Sequence, residues 1–178
     1  AEGQLGPAYQ LLKEAQKKAN KNDIVFWRTY GQLANLMQKK EAAKKAFLVV
    51  AQSSQATEND MINVVLLSQD DDVKTAFKYA KKGYPRDPGN EFFTTKLLEL
   101  ALNQKDYKLI QQVFYSMPLD MKNKLSATAY FVSMKAKVLA FQGDEEGAIR
   151  LYEQAINHNP ESEQLKADYL WFLMDADK

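Results

Sequence analysis

Side chains able to perform acid–base, nucleophilic or metal chemistry are few and scattered in this chain of 178 residues. There is one histidine, His158, and there is no cysteine, so thiolate chemistry and cysteine zinc sites are excluded. The run Asp70-Asp71-Asp72 lacks the glycine and distal glutamate of a calcium loop, and its place between two expected helices suits helix capping. Motifs of phosphate loops, dinucleotide folds, serine hydrolases and zinc proteases are missing. The chain is predicted not to be an enzyme and to use no metal or cofactor.

What the chain does contain is a repeated pattern of small and aromatic residues with a period near 34. Counting copies from residues 24, 57, 91 and 129, offset 20 holds a small or aliphatic residue, and one turn later three copies carry an aromatic side chain. Small residues allow two helices to approach closely, and the aromatic ring fills the gap beside them. The residues at these two offsets are Ala8, Ala43, Ala76, Ile110 and Ala148, followed by Phe47, Phe114 and Tyr152.

This pattern resembles the tetratricopeptide repeat family, whose copies are pairs of helices. The resemblance implies an all-α fold, a right-handed superhelix (an α-solenoid) of antiparallel helix pairs. Residues 1–178 are then one segment: a half-copy over 1–23, with a helix from Pro7 to Ala19, copies from 24, 57, 91 and 129, and a partial copy over 163–178. Half-copies at both ends predict a segment cut from a longer array. The closing helix is expected to expose Leu170, Trp171, Leu173 and Met174 and to favour self-association.

Composition and charge narrow the class of partner. The apolar share of 46%, the charged share of 26% and the net charge of +1 are those of an ordinary folded protein. No apolar run approaches a membrane span, and the first residues do not read as a signal peptide. Basic groups exceed acidic ones by nine to four in residues 1–50, a mild excess without the concentrated stripe that nucleic-acid binding needs. Neither nucleic acid nor a membrane is expected as a partner of this segment.

The tetratricopeptide resemblance also implies where a partner binds. In that family the first helix of each pair lines an inner groove, chiefly through offsets 2, 5, 9 and 12. A carboxylate clamp is not expected, because Ile62 and Val65 stand where clamp members carry polar residues. From the groove positions we select the side chains without an evident packing role as partner-binding residues: Arg28, Gln32, Met61, Val65, Thr95, Glu99 and Lys137.

Three stretches carry a narrower resemblance, at Phe26 to Phe47, Leu97 to Ile110 and Ala140 to Ala176, and the closing "YLWFLMDA" is the most distinctive. They are similar to the periplasmic repeat region of the bacterial outer-membrane exporter of Pel-type exopolysaccharide. That resemblance implies a periplasmic, non-catalytic scaffold for the enzyme that deacetylates and trims the polymer. Two alternatives stay open: a cytosolic adaptor that binds an extended peptide, and a surface that contacts the exported polysaccharide through aromatic and carboxylate side chains.

Overall fold

The computed structural model describes residues 2–177 and consists of helices joined by turns. Within residues 2–177 there is no strand, which confirms the predicted all-α fold class. A short 3-10 helix, Tyr84–Arg86, follows α5. The helices are α1 (Glu2–Ala15), α2 (Ile24–Leu36), α3 (Lys40–Ala51), α4 (Glu58–Ser68), α5 (Val73–Gly83), α6 (Glu91–Asn103), α7 (Tyr107–Ser116), α8 (Leu119–Ser126), α9 (Ala129–Phe141), α10 (Glu145–His158) and α11 (Glu163–Ala176).

Five of these helices begin at, or one residue from, the positions from which the sequence counts its copies: α2, α4, α6, α9 and α11. Each is preceded by a short polar side chain that accepts a hydrogen bond from a backbone N–H of the first turn. Such a cap satisfies one of the N–H groups that a helix start leaves unpaired. The five capping residues are Asp23, Thr57, Asn90, Thr128 and Ser162.

The chain packs as two compact units, one ending at Leu97 and the other beginning at Leu98, a boundary that lies inside α6. The single segment over residues 1–178, as part of a longer array, stays a prediction. Its end residues, Ala1 and Lys178, lie outside the described part of the chain.

In the first unit, small residues and aromatic rings meet as the repeat pattern predicts. Gly31 of α2 lies against the Phe47 ring of α3, and a Cβ at Gly31 would come within 3.0 Å of Phe47 Cε2. Phe47 is 1% exposed and Ala43 is fully buried. The surrounding core of this helix pair includes Tyr9, Trp27, Tyr30, Ala34, Ala46 and Val50.

The turns inside three helix pairs share one backbone device. In each of these pairs a positive φ occurs two residues after the end of the first helix, at Gln38, Lys105 and Gly143. The next N–H then reaches back five residues, as from Lys39 to Ala34 O at 2.8 Å, and closes the helix end. The connection between α4 and α5, residues 69–72, contains no residue with a positive φ, and Ala76 follows Ser68 by eight residues, whereas Ala43 follows Ala34 by nine.

Two helices differ from their predicted extents. The helix expected from Pro7 to Ala19 is α1, Glu2–Ala15, so its start and end were both placed too late. Pro7 does not start the helix but lies inside it. The step from the third copy to the fourth is 38 residues, from 91 to 129, and the extra residues belong to the separate helix α8, whose N-terminal cap position is Pro118.

The core of the second unit contains a cluster around Tyr152 of α10. This ring is fully buried between two aromatic side chains of α11, with centroid distances of 5.2 Å to Tyr169 and 5.5 Å to Phe172. Ala136 and Ala148 are fully buried beside it, so the small residues of α9 and α10 leave the space that Tyr152 fills. Tyr152 therefore fills the gap between the helices, as predicted for the aromatic residues one turn after offset 20.

Candidate functional site

A cleft of about 610 Å³ opens in the second unit, chiefly between α9 and α11. Further side chains come from the end of α6, from α7 and from α10. Side chains spaced by three or four residues share one face of a helix, so α9 and α11 each present a continuous stripe to the cleft. The lining residues used below are Tyr107, Ser133, Lys137, Phe141, Glu145, Tyr152, Asp168, Trp171, Phe172 and Asp175.

The floor of the cleft holds a buried polar atom without a partner. Tyr152 is 0% exposed and its hydroxyl makes no hydrogen bond within the described residues. Burial raises the pKa of this phenol; the nearby Ser133 hydroxyl acts against that rise and the Asp168 carboxylate adds to it, so the group is a neutral O–H donor at physiological pH. A buried hydroxyl left unpaired costs free energy.

Next to this phenol, Asp168 is held in place by two donors. Ser133 Oγ of α9 donates to Asp168 Oδ2 at 2.7 Å, and Gln164 Nε2 donates to Oδ1 at 2.8 Å. Because Ser133 belongs to α9 and Asp168 to α11, the first bond ties the two walls of the cleft together. The carboxylate is thus oriented before any ligand arrives.

Aromatic side chains and one lysine form the rim. Trp171 is 65% exposed and Phe141 is 65% exposed, although Phe141 packs against Tyr107 at a ring-centroid distance of 5.1 Å. Lys137 is exposed and makes no ion pair with any described residue. Large exposed aromatics beside a polar floor are typical of a docking surface.

Of the predicted partner-binding residues, Lys137 lines this cleft. Glu99 lies elsewhere in the second unit, beside Tyr130, where burial and then the Glu99 charge raise the pKa of the Tyr130 phenol. In the first unit, Gln32 is exposed, and Thr95 is half-buried with its Oγ1 donating to Glu91 O at 2.8 Å. The binding role of these four residues stays a prediction.

Arg28 has a packing role that sequence reasoning did not assign to it. Its Nε and Nη2 donate to Asp60 Oδ1 and Oδ2, both at 2.9 Å, while Asp60 also accepts from the backbone and hydroxyl of Thr57. The Asp60 side chain is only 3% exposed. The pair joins α2 to α4, so Arg28 is a structural residue of the first unit.

Met61 and Val65 are both 0% exposed, so the expectation that they lack a packing role is wrong. The buried residues Trp27, Tyr30, Gly31 and Ala34 of α2 recur 34 residues later as Met61, Val64, Val65 and Ser68 of α4. The second copy therefore starts at Glu58, one residue later than predicted. The positions matching Arg28 and Gln32 are Ile62 and Leu66, and Leu66 is 43% exposed.

His158, Asp71 and Asp72, which the sequence analysis considered for chemistry, make local structural contacts. His158 is exposed at the end of α10, with Nδ1 2.8 Å from Gln154 O. Asp72 caps α5 through the Thr75 N–H, as predicted, and Asp71 pairs with Lys40 and Lys44. Within residues 2–177 no three histidine or acidic side chains come together as metal ligands, and no helix there has the length and apolarity to cross a membrane.

Comparison with known proteins agrees with the repeat pattern. The family profile described as "Tetratricopeptide repeat" matches residues 1–178. A comparison with curated protein sequences finds no significant match.

Three solved structures illustrate the likeness of fold. YrrB, described as "a TPR protein with an unusual peptide-binding site", is 11% identical with a TM-score of 0.64, over 93% of this chain and 83% of that chain. A tetratricopeptide repeat protein from Parabacteroides merdae is 15% identical with a TM-score of 0.61, over 97% and 67%. A chain of the Naa15/Naa10 complex bound to HypK-THB is 16% identical with a TM-score of 0.69, over 98% and 27%. At these identities the likeness shows the fold alone.

Proposed function

The chain belongs to the tetratricopeptide repeat family, a class of helical scaffolds that bind other proteins, and on that premise we propose that the cleft of its second unit docks an extended segment of a partner protein. The observation that carries this proposal is that one cleft brings together two exposed aromatic side chains, Trp171 and Phe141, and an oriented carboxylate, Asp168.

The lining also suits a polypeptide in its mixture of groups. Trp171 and Phe141 offer apolar area, the oriented Asp168 accepts hydrogen bonds, and Lys137 can pair with an acidic side chain. Interfaces concentrate binding energy in a few such anchors within a polar rim. A segment with alternating apolar and charged side chains would satisfy all of them at once.

For the identity of the partner, we propose the periplasmic enzyme that deacetylates and trims an exported polysaccharide. This part rests on the sequence stretches at 26–47, 97–110 and 140–176, of which the last supplies α10 and α11. With this partner we also propose that the chain lies in the periplasm, as part of an outer-membrane protein. A cytosolic peptide-binding adaptor is the alternative with the same cleft and a different partner.

The proposal is tested by selecting peptides from a phage-displayed random library on the full chain and measuring their affinity by calorimetry. We expect Trp171→Ala and Phe141→Ala each to weaken binding at least about tenfold, as hot-spot aromatics do. The matched control is Val25→Ala on α2, an exposed apolar side chain of the first unit. Peptides that bind all the cleft variants normally and lose affinity for the Val25 variant would overturn the assignment.

A further inference from the structure

We propose that the cleft recognises its peptide through a basic side chain, an arginine or a lysine, which lies between Asp168 and the indole of Trp171. This inference rests on the proposed docking function and adds the chemical class of the anchor. Three carboxylates line the cleft, from Glu145, Asp168 and Asp175, against two ammonium groups, from Lys105 and Lys137. The lining therefore carries a net negative charge that favours a cation.

Asp168 has acceptor capacity left for that cation. A carboxylate offers about four lone-pair sites, and Ser133 and Gln164 occupy one on each oxygen. The two donors belong to α9 and to α11 itself, so the carboxylate plane is fixed by the helices rather than by the ligand. A guanidinium or ammonium group that reaches it forms a charge-assisted hydrogen bond without first ordering the acceptor.

Trp171 follows Asp168 by three residues on α11 and lines the same cleft. Residues three apart are neighbours on one helix face, so a ligand in the cleft can reach both side chains. Tryptophan is the strongest aromatic partner for a cation. A basic side chain can then be held by a carboxylate and an aromatic face at once.

The charges of the lining also distinguish a peptide from a polycationic polymer. A polycationic polysaccharide fits less well, because Lys105 and Lys137 in the same lining would repel its further charges. The lining thus favours a peptide with one basic anchor.

The test uses four pools of acetylated heptapeptides with randomised flanks and arginine, lysine, glutamine or glutamate at the centre. Trp171 fluorescence reports binding in a Trp27→Phe background, because the chain has two tryptophans and Trp27 is buried. We expect the arginine and lysine pools to bind about tenfold more tightly than the other two, as one hydrogen bond to a charged group allows. Asp168→Asn should remove this preference, so that the arginine and lysine pools bind no more tightly than the glutamine pool.

Circular dichroism checks that Asp168→Asn folds, and Trp171→Leu, at an exposed position, gives a second variant that should also reduce the preference, measured by calorimetry. Equal binding of all four pools in the cleft would overturn the basic anchor while the docking function stands. If no pool binds, the docking function itself fails. A chitosan oligomer that binds through Asp168 when no peptide pool does would assign the cleft to the polysaccharide and overturn the inference.

Discussion

Asp60 connects two consecutive helix pairs of the first unit through one carboxylate. It completes the capping box of α4 with Thr57 and accepts both hydrogen bonds from Arg28 of α2. Burial by itself would raise the pKa of Asp60, but the hydrogen bonds from Arg28 and Thr57 outweigh that effect and lower it below its usual value. A lowered pKa in the folded state means that folding favours the ionised form.

This pair gives a prediction about stability and pH. Because the pKa of Asp60 is lower in the folded than in the unfolded chain, its stabilisation is fully present above the unfolded value of about 3.9 and is lost as pH falls through the folded value. Asp60→Asn should cost about 3 kcal/mol near pH 7, since it leaves Arg28 without its buried partner. The gap between wild type and variant in urea unfolding should shrink steadily below about pH 4. The exposed Asp70→Asn is the control; a gap of constant size down to pH 2 in the Asp60 variant would contradict the coupling.

At the scale of single elements, the turn between first and second helices decides the repeat register. In three turns one residue takes the left-handed conformation, which only Gly143 adopts without steric cost. Gln38 and Lys105 do so as residues with a Cβ. In the second copy no turn residue takes this conformation, and the buried Ala76 follows Ser68 by eight residues, against nine from Ala34 to Ala43.

Gln38→Gly should stabilise the chain by about 0.5–1 kcal/mol. Relief of the left-handed strain is about 1–2 kcal/mol, and the added freedom of the unfolded chain takes back about 0.4–1 kcal/mol. Gly143→Ala should lower the free energy of unfolding by a similar amount, because the φ of Gly143 is 86° and no atom crowds the new Cβ. Thermal and urea unfolding of both variants check the paired signs. If both substitutions changed the free energy of unfolding in the same direction, the left-handed turn conformation would not explain their effects.

The shorter spacing between equivalent buried residues in the second copy also shows which helix positions can be predicted from sequence. Helix starts at 24, 91, 129 and 163 follow directly from capping residues and periodic apolar positions. The second copy was placed one residue early because its second helix repeats after 33 residues, from Ala43 to Ala76, whereas its first helix repeats after 34. Ala76 follows Ser68 by one residue fewer than Ala43 follows Ala34, so counting back from Ala76 assigns the buried positions of α4 one residue too early. No pattern within α4 marks this difference.

At the scale of the whole molecule, charge and chemistry are divided between the two units. Residues 1–97 hold 15 basic and 11 acidic groups, and residues 98–178 hold 9 and 12. The cleft with the unpartnered phenol lies in the acidic part. We expect this overall negative field to favour, together with Asp168, a partner segment that carries a basic anchor.

Less of the site than of the fold could be predicted from the sequence. Lys137 was found because it occupies groove offset 9 of a full copy. Trp171 occupies the same offset of the partial copy from Glu163 but was interpreted as an exposed end of the closing helix. Tyr152 was identified only as a packing wedge, since an unpaired hydroxyl depends on what surrounds it in space. The bond between Ser133 and Asp168 joins residues 35 apart and has no mark in the sequence.

The docking cleft is tested most directly by mapping where a library-selected peptide contacts the full chain, using amide chemical shifts in an NMR titration. We predict that the largest shifts fall on α9 and α11, around Ser133, Lys137, Asp168 and Trp171, and that they vanish in Trp171→Ala. Shifts confined to α2 and α4 of the first unit, with α9 and α11 unchanged, would contradict a docking site in the second unit.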